Sequence, residues 1–300
     1  MSEFAAGPAG RIERVRALMA ERGYDAIVVR DEANLRWLTG VKGVFDYTFE
    51  FPHAAFITAD QCLFHTDSRY LNSFEENTPA GSPWVYDMDE GTIPGWVSGK
   101  IAANKCRVCA VEDDMQINFY QGIQRGLEDR SVACMLPLMH DDIRKMRAIK
   151  DAEEIELMRH AQSITDAAFQ HMLGFIKPGM TEKQVRNELE NFMFANGADS
   201  LAFGSIVASG PNTANPHAVP SDRVIEKGDF VLMDYGAGYC DYRSDMTRTV
   251  AVGSASEEMR NVYDTVLRAQ LAGIAALLGA LALCVLGKPS KGFTSRWAVN

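Results

Sequence analysis

Two aspartates in one short stretch carry the chemical question. In FVLMDYGAGYCDYRSDMTRTVAVG, residues 230–253, Asp234 and Asp245 sit in strand-like runs of apolar and small residues on either side of a Gly-rich turn. That pattern is a β-hairpin signature. With a two-residue turn at Tyr239 and Cys240, Asp234 falls directly opposite Asp245. Directly opposed side chains in an antiparallel pair have Cβ atoms about 4.5–5.5 Å apart, and like charges there repel. Two poorly solvated carboxylates so close need a shared proton or a cation. Oxygen donors suit hard divalent cations, and a carboxylate can bridge two of them. A plainer arrangement also fits the residues: Asp245 paired with Arg243 or Arg248, and Asp234 at an exposed strand edge.

Other reactive side chains give weaker signals. The six cysteines are scattered through apolar surroundings, which reads as reduced thiols and not as a disulfide framework. Cys106 and Cys109 in KCRVC have a metal-like spacing, but CRVCAV reads as a strand, which would point the two side chains to opposite faces. His217 in NPHA is, from its spacing alone, a plain loop histidine, and His53, His65, His140, His160 and His171 show no ligand spacing.

The elements that must position these residues follow from apolar periodicity. Ile12, Val15, Leu18 and Met19 mark a helix ending at Gly23, and YDAIVV then reads as a buried strand. AAFITADQCLFHTD reads as two strands around a polar turn, with further strands at NKCRVCAVED and SVACMLPL and helical segments between. This order predicts an α/β N-terminal domain with a mixed sheet. From residue 140 the style changes. Asp151 and Glu154 form a capping-box start to a long helix with Ile155, Met158, Thr165, Phe169 and Met172 on one face; Thr181 and Gln184 open another that ends at Asn196 and Gly197. A strand-rich block from Leu201 to Gly253 follows, so this half reads as α+β.

A length of 300 residues predicts two domains. A net charge of -10 and a pI near 5.1 would repel a phosphate backbone and an anionic lipid surface, so neither nucleic acid nor membrane is expected as a partner. The N-terminal stretch has no apolar run of signal-peptide length, which predicts a cytoplasmic protein.

The string FGSIVASGPNTANPHA followed by KGDFVLMDYGAGYCDYRSDMTRT closely resembles the pita-bread metallopeptidases: prolidase, Xaa-Pro aminopeptidase, creatinase and methionine aminopeptidase. Upstream, NLRWLTG, HTDSRYL and RAIKDAEEIELMRHA resemble the creatinase-type N-terminal domain and the entry helix of the prolidase branch. The resemblance implies a creatinase-like domain over 1–142, an incomplete α+β pita-bread catalytic domain over 143–277 and a divergent tail over 278–300. It implies that Asp234 binds one metal ion through both oxygens and Asp245 bridges two, in a dinuclear Mn, Co or Zn centre whose water attacks a peptide bond. His217 then stands by the scissile carbonyl, where an imidazole serves an oxyanion or a proton transfer. The implied substrates are peptides with proline in second position, cleaved as by an Xaa-Pro dipeptidase or aminopeptidase; relatives commonly form homodimers. A non-catalytic peptide-binding role, creatine hydrolysis and sulfonium lyase chemistry are the alternatives on this fold.

The chain also departs from that family. Its metal set ends with a histidine and two glutamates, yet no histidine follows His217, and the acidic residues after Asp245 are Glu257, Glu258 and Asp264, in or beside a helix where Ser254 and Glu257 read as a capping box. LLGALALCVLGKPSKGFTSRWAVN stops resembling the family, as a frameshifted or fragmentary sequence would; a membrane anchor is the competing reading, since 271–287 is uncharged and followed by Lys288 and Lys291. Weak metal binding, an exposed sheet edge and aggregation are the expected consequences.

Overall fold

The spacing of Ile12, Val15 and Met19 produces α1 (Gly7–Arg22) with those three side chains buried, and Gly23, at φ 70°, ends it. The apolar runs then become β1 (Ala26–Val29), β2 (Ala54–Thr58) and β3 (Cys62–His65), with α2 (Glu32–Thr39) following β1. α3 (Leu71–Asn77), β4 (Val85–Asp87), α4 (Ile93–Ala103), β5 (Cys109–Val111) and α5 (Ile117–Asp129) complete the first half. The computed structural model describes residues 7–42, 44, 52–88 and 91–285, with side chains through 277.

The strands form one mixed sheet in the order β4-β3-β2-β1-β5, antiparallel from β1 to β3 and parallel at both edges. Every residue of β1 and β2 is buried because helices cover both faces. Ile27, Val29, Ala55, Ile57 and Phe64 pack with α1 and α2 side chains such as Val15 and Leu38. Ala26, Val28, Ala54 and Phe56 face the other way, onto Trp96, Ile101, Phe119 and Ile123. Two local expectations fail here. SVACMLPL contributes only isolated bridges, Val108 to Met135 and Val111 to Leu138, and Pro137 lacks the N–H that a ladder needs. Cys106 precedes β5, so alternation does not apply to it, and it packs in the same apolar layer as Cys109. Burial raises the thiol of Cys106 to about 11 and that of Cys109 well above its ordinary value, so neither has thiolate character.

α6 (Asp142–Ala148) is a separate short helix before α7 (Ala152–Phe175). The capping box at α7 is present: Asp151 N donates to Glu154 Oε2 at 2.8 Å, and Glu154 N to Asp151 Oδ1 at 3.0 Å. Its buried stripe runs through Glu154, Ala161, Ile164, Thr165, Ala168 and Met172, while Ile155 and Met158 are exposed, so the inner face is rotated from the one the apolar residues predict. α8 (Glu182–Ala195) has the second box, with Thr181 N donating to Gln184 Oε1 at 2.9 Å, and buries Val185, Leu189 and Met193.

The remaining strands are β6 (Ser200–Leu201), β7 (Ile206–Ser209), β8 (Phe230–Tyr235), β9 (Ala237–Tyr239), β10 (Tyr242–Arg243) and β11 (Met246–Ala251), before α9 (Glu257–Val285). They make two small sheets, β10-β9-β6 and β11-β8-β7. The cap of α9 is Ser256 and not Ser254: Ser256 Oγ accepts from Met259 N at 3.2 Å. Among the described residues no helix is long and apolar enough to cross a membrane. The tail reading falls on 278–300, whose side chains, and from 286 the backbone too, lie outside the described residues. Two compact units result, one of Met1–Asp166, Met193–Phe203 and Gly236–Asp245, the other of Ala167–Phe192, Gly204–Tyr235 and Met246–Asn300.

Candidate active site

The hairpin predicted around the two aspartates forms, but its turn is one residue later than expected. Tyr239 pairs with Tyr242, so the turn residues are Cys240 and Asp241, both left-handed at φ 46° and 69°, as a type I′ turn requires. Asp241 is held in an ion pair by Arg36, and Cys240 N donates to Asp199 Oδ2 at 2.6 Å. The shift changes every facing pair. Asp234 lies opposite Thr247, and Asp245 is two residues before Thr247, so the directly opposed pair of aspartates is not what the ladder makes.

Asp234 occupies β8, the central strand of its sheet, flanked by Ile206 of β7 and Thr247 of β11. Val231, Met233 and Tyr235 alternate onto the buried face, which leaves Asp234 half-buried on the other with Phe230 and Leu232. Its position is central and not at a sheet edge. Asp245 is exposed and directly precedes β11. The backbone next to it is pinned by a polar knot: Ala237 N donates to Thr165 Oγ1 at 3.0 Å and to Ser244 Oγ at 2.9 Å, all buried. Gly236 is required there, since a Cβ would run into the carbonyl of Ser244.

His217 is exposed, in a segment without strand or helix that follows a 3-10 turn, Gly210–Ala214. Its backbone N donates to Asn215 Oδ1 at 3.1 Å, an Asx turn. Gly210 begins the 3-10 turn at φ 49°, and a Cβ there would press on the paired side chains of Arg223 and Asp229. The residue that spacing alone did not single out is Glu182. Its carboxylate is fully buried and accepts hydrogen bonds from Ser209, Asn212 and Ser221, which bracket the His217 segment. Burial raises its affinity for a proton, but the bonds from Ser221, Asn212 and Ser209 outweigh this and hold the carboxyl below its ordinary value. The available signal was an acid directly after a capping threonine, which usually marks an exposed helix start.

Asp234 and Asp245 offer hard oxygen ligands, but among the described residues no group of three or more His, Cys, Asp or Glu side chains could hold a metal ion. These residues do not by themselves make up a dinuclear site.

Comparison with known proteins identifies the family. Residues 11–149 match the creatinase/prolidase N-terminal domain and residues 156–284 match metallopeptidase family M24. Over 272 residues the chain is 35% identical to the uncharacterised peptidase YqhT of Bacillus subtilis (strain 168), covering 88% of this chain and 71% of that protein. It is 44% identical to an Xaa-Pro dipeptidase of Pyrococcus furiosus over 136 residues, which are 45% of this chain and 39% of the relative. Among solved structures, an Xaa-Pro dipeptidase from Bacillus anthracis superposes with a TM-score of 0.76 at 35% identity, covering 87% of this chain and 70% of the other. An X-Pro aminopeptidase from Thermotoga maritima MSB8 gives 0.74 at 30%, covering 86% and 70%. The chain belongs to metallopeptidase family M24, with a creatinase/prolidase N-terminal domain ahead of the peptidase domain. Its fold class is accordingly the expected one, an α/β domain with a mixed sheet followed by part of a pita-bread α+β domain.

Proposed function

We propose that the chain belongs to a peptidase that releases the N-terminal residue from peptides with proline in second position, as an Xaa-Pro dipeptidase or aminopeptidase. The observation that carries this reading is the half-buried Asp234 at the centre of the β11-β8-β7 sheet, with Asp245 on the same hairpin, within a match to a metallopeptidase family. The printed names of the Pyrococcus furiosus and Bacillus anthracis relatives support the substrate class.

In this reading Asp234 and Asp245 would be two of the oxygen donors, and not the full set, of a site for two divalent ions (Mn, Co or Zn), and His217 would stand beside the scissile carbonyl. A divalent ion held there would supply Lewis-acid polarisation and an acidified water. The chain's own part is to hold the hairpin register and the His217 segment. The boundary between the domains falls near residue 142, with the peptidase domain over 143–277. A cytoplasmic, homodimeric protein is part of the same proposal.

The test is hydrolysis of Ala-Pro against Ala-Ala by the purified chain, with Mn2+ or Co2+ and with a chelator. Metal-dependent release that favours the proline peptide supports the reading. Proline-peptide binding that is indifferent to chelator and to Asp234→Ala, without hydrolysis, would replace it with a non-catalytic peptide-recognition role.

A further inference from the structure

α8 begins with a carboxylate that does more than complement a helix end. Glu182 is 0% exposed, and both of its oxygens are engaged. Oε1 accepts from Ser209 N at 2.7 Å, Ser209 Oγ at 2.8 Å and Asn212 Nδ2 at 3.0 Å. Oε2 accepts from Ser221 N at 2.9 Å and Ser221 Oγ at 2.6 Å. The capping of α8 is already done by Thr181 and Gln184, whose side chains bond each other's backbone N–H. A carboxylate that served only the helix dipole would do so at the surface, without the desolvation that burial imposes.

The five donors are placed at the two ends of one segment. Ser209 closes β7 and Asn212 lies in the 3-10 turn, while Ser221 comes after the irregular stretch. Between them Asn215, Pro216, His217 and Val219 are exposed, and the internal bonds of that stretch are local turns, such as Ala218 N to Asn215 O at 3.2 Å. A second tie closes the same loop. Arg223 donates from its backbone N to Ser221 Oγ at 3.1 Å and from Nη1 to Ser209 Oγ at 2.7 Å, and its Nη1 is itself held by Asp229 at 2.6 Å.

We propose that Glu182 is the positioning residue of His217: one buried carboxylate clamps both ends of segment 209–221 and so sets where the imidazole stands. This rests on the peptidase reading only in giving His217 its task; the clamp itself is a property of the fold. Glu182 supplies five of the bonds at the two ends of this loop and Arg223 a further tie, so altering Glu182 should loosen the loop as a local unit and leave the neighbouring sheet intact.

Two variants of the full chain test it. Glu182→Gln keeps the shape but puts an amide donor where only donors point at it, and Ser221→Ala removes one loop donor while leaving Glu182 in place. Amide exchange should accelerate about tenfold across 210–221 in Glu182→Gln, and less in Ser221→Ala, with β8 and β11 unchanged. Unchanged exchange in 210–221, or an equal acceleration in β8 and β11, would overturn the proposal in favour of no role or a general structural one. Turnover of Ala-Pro adds a second readout: Glu182→Gln should lower kcat about tenfold with little change in KM, and add no loss in a His217→Ala background. An additive loss there overturns the positioning role. A wild-type chain that hydrolyses no Xaa-Pro peptide refutes the peptidase reading, and the exchange pattern still decides the clamp.

Discussion

The five-stranded sheet of the first unit and the three-stranded sheet of the second are held by different physics. β1 and β2 are buried along their whole length between two apolar clusters. β11 is largely exposed past Met246, and α9 presents Val262, Val266, Leu271, Ile274 and Leu277 to solvent. Around the His217 segment of the second unit the order comes instead from a buried polar group, Glu182 with Ser209 and Ser221. Apolar burial tolerates imprecision in direction, whereas a hydrogen-bonded carboxylate fixes an atom. That difference suits a scaffold in one place and a site in the other.

The sharpest way to break the comparison is to damage each region by its own mechanism. Phe56 is fully buried and packs edge-on against Trp96, so Phe56→Ala should cost about 3–5 kcal/mol in chemical denaturation of the first unit. Glu182→Ala strands the buried donors of Ser209 and the half-buried donors of Ser221, and should cost about 2–3 kcal/mol, read from the unfolding of the second unit. Equal effects of both variants on both units would remove the distinction.

The pH dependence sharpens it further. Glu112 accepts from Arg30 N, Asp31 N and Asn34 Nδ2, but burial dominates those bonds and pushes its carboxyl up to about 7. A raised carboxyl binds its proton more tightly when folded, so stability is full below the unfolded value near 4.3 and declines as pH rises to about 7, by roughly 3 kcal/mol. Glu112→Gln should flatten that decline in a series of thermal melts. Glu182 has the opposite sign: its folded value is lowered, so its contribution is present above pH 4.3, approximately, and is lost as pH falls through the folded value. The smallest expected effect is Ser256→Ala, which removes one cap bond of α9 and should cost about 1 kcal/mol.

Much of the scaffold was legible in the sequence because periodicity and capping are local. The spacing of Ile12, Val15 and Met19, the run AIVV and the boxes at Asp151 and Thr181 each became the element they predict. The register of the hairpin was not legible, since GAGYCDY permits turns one residue apart and each moves the facing pair by two; the left-handed Cys240 and Asp241 decide it. Ile155 and Met158 are as apolar as a core residue, yet the inner face of α7 passes through Glu154, whose charge is answered by Arg11 and the hydroxyl of Tyr242 far along the chain. Glu182 was hidden for the same reason: its partners at 209, 212 and 221 are brought to it only by the folded loop.

The most direct test of the account is Mn2+ titration calorimetry of the purified chain beside Asp234→Ala and Asp245→Ala. Weak but saturable binding is expected in the wild type, abolished by Asp234→Ala and weakened by Asp245→Ala. Identical heats from all three proteins would contradict it, because Asp234 would then be no part of a metal site.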